Sequence, residues 1–247
     1  MIDTAAIVLH SFDYRETSRI VRLATREAGV VSVIARGARR PKSKFGQGLD
    51  LFTSGTAQLV LHPTNDLHTL ASFDASRARP LLAGSLRRFG AAAALSEMCM
   101  RFGTEAAAGV HDALRDGLDA LERADDDAVA AATFSAGWRL VAEIGFAPTL
   151  DACALCQREI GPDEEVRFAH RSGGAVCTSC RTLVPGARVL PATARAALSA
   201  WLNDGEVRIP DLQTARAHQR LLREFLEEHL ADGRAMRAFQ AWERLDA

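Results

Sequence analysis

The sequence predicts a multidomain chain of mixed α and β structure. A small five-stranded β-barrel comes first, then an all-α helical domain with a four-cysteine module inserted in it. Three observations predict this. Residues 1–76 hold short β-branched runs separated by turn signals. Residues 81–150 switch to Ala- and Leu-rich text with helical spacing. Two Cys-x2-Cys pairs then interrupt that text between residues 153 and 180. A length of 247 residues with 48% hydrophobic content is enough for one large domain or two to three small ones, each burying a core.

The strands come in order. "TAAIVLHSF" is apolar and β-branched. "SRIVRLATR" sets Arg19, Val21 and Leu23 on one face and Ile20, Arg22 and Ala24 on the other. "VVSVIAR" follows the turn "EAG". "TSGTAQLVLH" alternates Ala57, Leu59 and Leu61 against Gln58, Val60 and His62, and "PTND" turns the chain into "LHTLASFD". Five short strands are too few for a sandwich and suit a small, partly open barrel of the OB type.

After Pro80 the spacing is helical. Leu114, Leu118 and Leu121 recur as a core-facing stripe. "ADDDAV", residues 124–129, reads as a helix N-terminus whose acids suit the helix dipole. Cys99, among apolar neighbours in "LSEMCMRF", reads as a buried core thiol. Pro191 suits a first helical turn, and Leu222, Phe225, Leu226 and His229 form a late stripe. The expected domains are the barrel over residues 1–80, a first helical part over 81–150, the cysteine module over 151–182 and a second helical part over 183–247.

The module is spaced Cys153-x2-Cys156-x20-Cys177-x2-Cys180. Each pair can form a tight knuckle, and two knuckles offer four thiolates at tetrahedral vertices, the arrangement Zn²⁺ takes. A redox dithiol would need only one pair, at a helix start. Four thiolates close the coordination shell, so the expected zinc is single and structural. The intervening residues look too short and polar for a core of their own. His170 lies among them and is expected to be exposed.

Charge is unevenly spread in a chain of net charge −1. Residues 1–80 carry 11 Lys/Arg against 7 Asp/Glu, residues 81–150 carry 6 against 10, and residues 151–247 carry 13 against 14. Five of the basic groups fall in "RGARRPKSKFG", residues 36–46, with no acid among them. A solvated loop would explain the polarity, but five like charges repel one another without an anion. On an OB-type barrel such a loop flanks the nucleic-acid groove. Arg36, Arg39, Arg40, Lys42 and Lys44 are therefore the expected phosphate contacts, with Arg15 and Arg19 second. Phe12, Tyr14, Phe45 and Phe52 are the aromatics that could stack on bases. At least half are expected in the core, so backbone charge should lead binding, with little sequence preference.

Other classes find less support. No apolar run reaches 18 residues, and the start has no basic n-region, so a cytosolic chain with reduced thiols is expected. No phosphate-wrapping Gly-x4-Gly-Lys-[Ser/Thr], Gly-x-Ser-x-Gly or His-Glu-x-x-His pattern occurs, and the histidines are scattered. The expectation is a protein that is not an enzyme.

The stretch "AIVLHSFDYRETSRIVRLATREAGVVSVIARGARRPKSKFG", the following "LDLFTSGTAQLVL" and the four cysteines together resemble the bacterial recombination mediator family RecO. The resemblance is close over the N-terminal part and one of layout over the rest. It implies an OB domain, a helical domain and a zinc module. It also implies binding of single- and double-stranded DNA, annealing of complementary strands and a cytoplasmic, nucleoid-associated setting. Finally, it implies help in loading RecA onto DNA coated by single-strand-binding protein, together with RecR. Some members of the family lack the cysteines, whereas this chain keeps all four. The competing class is a zinc-containing interaction scaffold whose basic loop is incidental, with an uncharacterised hydrolase third.

Overall fold

The computed structural model describes residues 1–45, 48–103, 108–203, 205–230 and 235–245. Gly46, at the end of the basic stretch, and residues 105–107 of the expected helical text lie outside these. The N-terminal part is a barrel of β1 (Ile2–Tyr14), β2 (Ser18–Thr25), β3 (Gly29–Ala35), β4 (Ser54–Val60) and β5 (Leu67–Arg77). Its order is β1-β2-β3-β5-β4, antiparallel except for the β3–β5 pair. The barrel is closed, where the sequence suggested a partly open one. The closing device is the length of β1. Its 13 residues serve two neighbours, pairing with β4 through residues 2–7 and with β2 through residues 6–14.

Alternation decides what each strand buries. Val21, Leu23, Val31, Val33, Ala57, Leu59 and Leu70 point inward and fill the barrel. Phe45 and Leu49, from the long β3–β4 connection, complete that core. A bulge between Val8 and His10 shifts the register of β1. Before it, Ala6 and Val8 join the barrel core, while Ile7 and, at the bulge itself, Leu9 face the helices.

Helices follow: α1 (Pro80–Ala83), α2 (Leu86–Phe102), α3 (Ala108–Arg123) and α4 (Val129–Glu143). Ser85 caps α2 by accepting from the Arg88 N–H. Leu114, Leu118 and Leu121 are buried as their spacing requires, and so is Cys99, whose thiol burial pushes up to about 12. The acids of "ADDDAV" do not enter the first turn of α4. They precede its cap, Ala128, and Asp126 and Asp127 pair instead with Arg88 and Arg208. Gly117 lets α3 and α4 approach closely, since a Cβ there would stand 2.6 Å from that of Ala136.

The cysteine segment contributes β6 (Val166–Ala169), β7 (Gly174–Val176) and β8 (Arg188–Leu190), a small sheet ordered β7-β6-β8. It is not without a core. Ile160, Val166, Phe168, Ala175 and Val176 are buried in the same cluster as the helices. His170 is half-buried rather than exposed. It pairs with Glu224 at 3.1 Å and packs on Phe168. The chain ends in α5 (Ala192–Leu202), α6 (Leu212–Leu230) and α7 (Arg237–Leu245). Pro191 is the N-cap of α5 rather than a residue of its first turn. Trp138, Trp201 and Trp242, with Phe134, Phe225 and Phe239, anchor this second core. No helix among the described residues is long and apolar enough to cross a membrane.

Candidate metal centre and cationic surface

The two knuckles meet. The ligand atoms of Cys153, Cys156, Cys177 and Cys180 all lie within 4.8 Å of one another. The Cys156 and Cys177 sulfurs are 3.9 Å apart. Four sulfurs at about 2.3 Å from a tetrahedral ion would be spaced by roughly 3.8 Å, so the set fits a thiolate-bound metal. Local backbone makes the fit. The Gln157 N–H donates to the Cys153 carbonyl at 2.9 Å, with Gln157 itself left-handed at φ 60°. The Cys180 N–H closes the second knuckle on the Cys177 carbonyl at 3.1 Å.

Electrostatics favour a cation here. Burial opposes ionisation of Cys153, but the N–H groups of Cys177, Cys156 and Leu155 outweigh it and bring the thiol down to about 6. Burial likewise opposes ionisation of Cys177. The Cys180 N–H and the Arg158 guanidinium overcome that and hold it below the ordinary thiol value. Cys180 goes the other way, pushed up to about 12, first by the Cys156 sulfur beside it and then by burial. Sulfurs this close cannot all ionise unless positive charge joins them. The four could hold a metal ion, and His170 is not among them.

The module is pinned to α5 from below. Arg195 is buried, and its guanidinium donates to the carbonyls of Leu150, Gly161 and Pro162. The spacing of the cysteines gave no hint of this residue, since an Arg in a helical stretch reads as solvent-facing.

The basic stretch is more ordered than its composition suggests. Successive turns tie it down, with Ala38 N–H on Ala35 O, Arg40 N–H on the carbonyl of left-handed Gly37, and Ser43 N–H on Arg40 O. Phe45, 3% exposed, plugs the barrel. Nor are all the charges uncompensated. Arg39 pairs with Asp13 at 3.2 Å and donates to the carbonyls of Arg15 and Glu16, clamping the β1–β2 turn. Arg19 pairs with the same Asp13 at 3.4 Å. Lys44 donates to the Ala71 carbonyl of β5. Among the described residues, the side chains of Arg36, Arg40 and Lys42 make no ion pair and are exposed. Arg15 is exposed too, with its guanidinium over the Tyr14 ring at 5.2 Å.

The structure thus brings Arg15, Arg36 and Arg40 together. They line one shallow depression with Glu16, Thr17, Ser18, Ile34 and Gly37, where the end of β3 meets the β1–β2 turn, so three cations face one acid there. Lys42 lies farther along the loop, and Lys44 is drawn onto β5. Asp13 was missed by sequence reasoning. Its partner Arg39 stands 26 positions away, and only the closed hairpin shows that the acid neutralises it. Of the four aromatics, Phe45 and Phe52 are core, whereas Phe12 is 45% exposed.

Fold and site define a class: a five-stranded OB-type barrel with a cationic turn, joined to helices that carry a four-thiol knuckle. Family models match both parts. Recombination protein O N terminal covers residues 1–79, and Recombination protein O C terminal covers residues 83–237. The chain belongs to the RecO family. The DNA repair protein RecO of Anaeromyxobacter sp. (strain Fw109-5) is 34% identical over 241 residues, 94% of this chain and 93% of the relative. That of Thermobifida fusca is 32% identical over 235 residues, 92% and 93% of the two chains. That of Rubrobacter xylanophilus is 34% identical over 181 residues, 72% and 71% of the two.

Proposed function

We propose that this chain is a DNA-binding recombination mediator in DNA repair. It binds single and double strands, anneals complementary ones and, with RecR, helps load RecA onto DNA coated by single-strand-binding protein. It works in the cytoplasm on the nucleoid and turns over no substrate. The observation that carries this reading is the gathering of Arg15, Arg36 and Arg40, none of which makes an ion pair among the described residues, in one depression of an OB-type barrel, in a chain of this family. Annealing requires two polyanions to approach, and a cationic surface lowers their repulsion without chemistry on either strand.

The phosphate contacts are led by Arg15, Arg36, Arg40 and Lys42. Arg39 and Arg19, shared with Asp13, shape the turn as well as adding charge, and Lys44 contributes from the side of β5. The ion in the cysteine knuckle is one structural Zn²⁺, with all four positions filled by protein sulfur. The division into barrel 1–80, helical parts 81–150 and 183–247 and module 151–182 assigns DNA to the first and scaffolding to the rest.

The test is filter binding of single-stranded DNA at several salt concentrations. Replacing Arg36, Arg40 and Lys42 together by Ala should flatten the slope of log affinity against log salt by roughly 2, at about 0.7 per lost phosphate contact. Unrelated sequences should lose affinity alike, because phosphates carry no base identity. Arg39 is left intact in this variant so that the β1–β2 turn keeps its clamp. A wild-type slope in the triple variant would overturn the assignment.

A further inference from the structure

Beyond residue 7, β1 leaves β4 and runs on as the outer arm of the β1–β2 hairpin. Past the bulge, Ser11 turns inward with its hydroxyl buried, in the row of Val21 and Val33. His10, Phe12 and Tyr14 therefore alternate onto the opposite, outer face. His10 and Phe12 have ring centroids 5.7 Å apart. Phe12 pairs across to Ile20, and Ile20 to Ile34, so one apolar row crosses three strands on the water side. Ile20 and Ile34 are only partly buried, and Phe12 is the most exposed aromatic among the described residues.

That row does not end in open solvent. Ile34 is also a wall of the depression lined by Arg15, Arg36 and Arg40. An apolar, ring-bearing strip running into three arginines that make no ion pair among the described residues, with Glu16 the one acid beside them, matches a ligand that is flat and apolar on one side and anionic on the other. Nucleotides of a single strand have that form. In a duplex the base faces are stacked on one another and closed to a protein ring, whereas an unpaired base offers its face.

We propose that the outer face of the β1–β2 hairpin is a base-stacking platform for single-stranded nucleic acid. Phe12 is its principal ring, flanked by His10 and Tyr14, and the platform gives this surface its preference for single strands over duplex. The proposal rests on the reading of Arg15, Arg36 and Arg40 as phosphate contacts and adds the element that tells the two forms apart.

The three native tryptophans, Trp138, Trp201 and Trp242, are all buried, so a Phe12→Trp variant carries one exposed indole that reports on this face alone. Saturating quenching of that emission by a single-stranded oligonucleotide, with no response to a duplex of equal length, is the expected result. A Phe12→Ala variant should bind the single strand roughly 5- to 150-fold more weakly, the factor one lost base–aromatic stack corresponds to. Its salt slope should be unchanged, since no phosphate contact is removed. An abasic strand of the same length should bind it as it binds the wild type, and Phe12→Tyr should restore base-dependent affinity. Equal losses on abasic and base-bearing strands would overturn the proposal. So would an indole that ignores the single strand and responds to poly-glutamate, which would make the face a docking site for acidic protein. Failure of the phosphate reading shows separately, as a wild-type salt slope in the Arg36, Arg40 and Lys42 variant.

Discussion

His218 shows how much a single position depends on its surroundings. In sequence it is one of several scattered histidines. In the fold it is 3% exposed, set edge-on to Trp201 at 4.7 Å and close to Phe134, with Nδ1 unpartnered. Burial lowers its pKa from 6.5 to about 4. The native state therefore holds it neutral across a window in which the unfolded chain binds a proton. Its contribution is present in full above pH 6.5 and is lost as pH falls toward 4, with a span of up to roughly 3 kcal/mol. A His218→Phe variant should show a flatter loss of melting temperature between those two pH values. An unchanged pH profile would assign the acid sensitivity elsewhere. The same logic separates the arginines. Arg36 and Arg39 sit three positions apart in one run, yet among the described residues the first makes no ion pair and the second is tied to Asp13 and to two carbonyls.

Among the elements, α7 depends on a residue far from it in sequence. Both carboxylate oxygens of Glu97, on α2, accept from the N–H groups of Arg237, Ala238 and Phe239. This satisfies donors that a helix start leaves open and places negative charge at its positive end. Glu97→Ala should cost about 1–2 kcal/mol, in the range of a lost cap. It should also red-shift tryptophan emission as Trp242 loosens, and unaltered emission and stability would show that packing alone holds α7. The cysteine module is coupled to the helices in a comparable way. Loss of one thiolate in Cys177→Ser should abolish stoichiometric zinc, measured by elemental analysis. Because Val166, Phe168 and Val176 lie in the helical core, the helical transition should fall with the module while the barrel keeps its own. Metal binding at neutral pH should release protons, since Cys180 holds its proton until a cation arrives. A variant that retains zinc with three sulfurs would mean that another donor completes the shell.

At the scale of the whole molecule, the barrel is locked to the helices by a buried cation. The side chain of Arg79 is fully enclosed. It pairs with Asp119 of α3 at 2.7 Å, donates to the Phe52 carbonyl at 2.5 Å and reaches the Ser54 hydroxyl at 2.8 Å. Arg77 adds pairs to Asp119 and Glu122 at 3.0 Å each. Removing Arg79 leaves the buried Phe52 carbonyl and the Ser54 hydroxyl without their donor while Arg77 still faces Asp119, so Arg79→Ala should cost about 1–3 kcal/mol. Calorimetry should then resolve two transitions, the barrel's and the helices'. A single transition at the wild-type temperature would show that the apolar contacts of Ile7, Leu9 and Phe52 suffice for the joint.

Periodicity determined much of this protein directly. Alternating β-branched runs such as "VVSVIAR" become strands because only a period of two puts Val31 and Val33 on one side. Leu114, Leu118 and Leu121 become a helix face for the corresponding reason at 3.6 residues per turn. The four-sulfur cluster was legible because each Cys-x2-Cys closes on itself, leaving only the meeting of two knuckles to the fold. What depended on partners distant in sequence was decided by tertiary structure alone. Closure of the barrel rests on one long strand serving two neighbours. The core of the cysteine module is shared with helices on either side of it. The free cations were sorted from the paired ones by Asp13 and Ala71, neither of which lies in the basic run. Side-chain charge and local period are properties of a stretch of chain. Neutralisation, burial and closure belong to the surfaces that folding brings together, and those do not exist until the chain has folded.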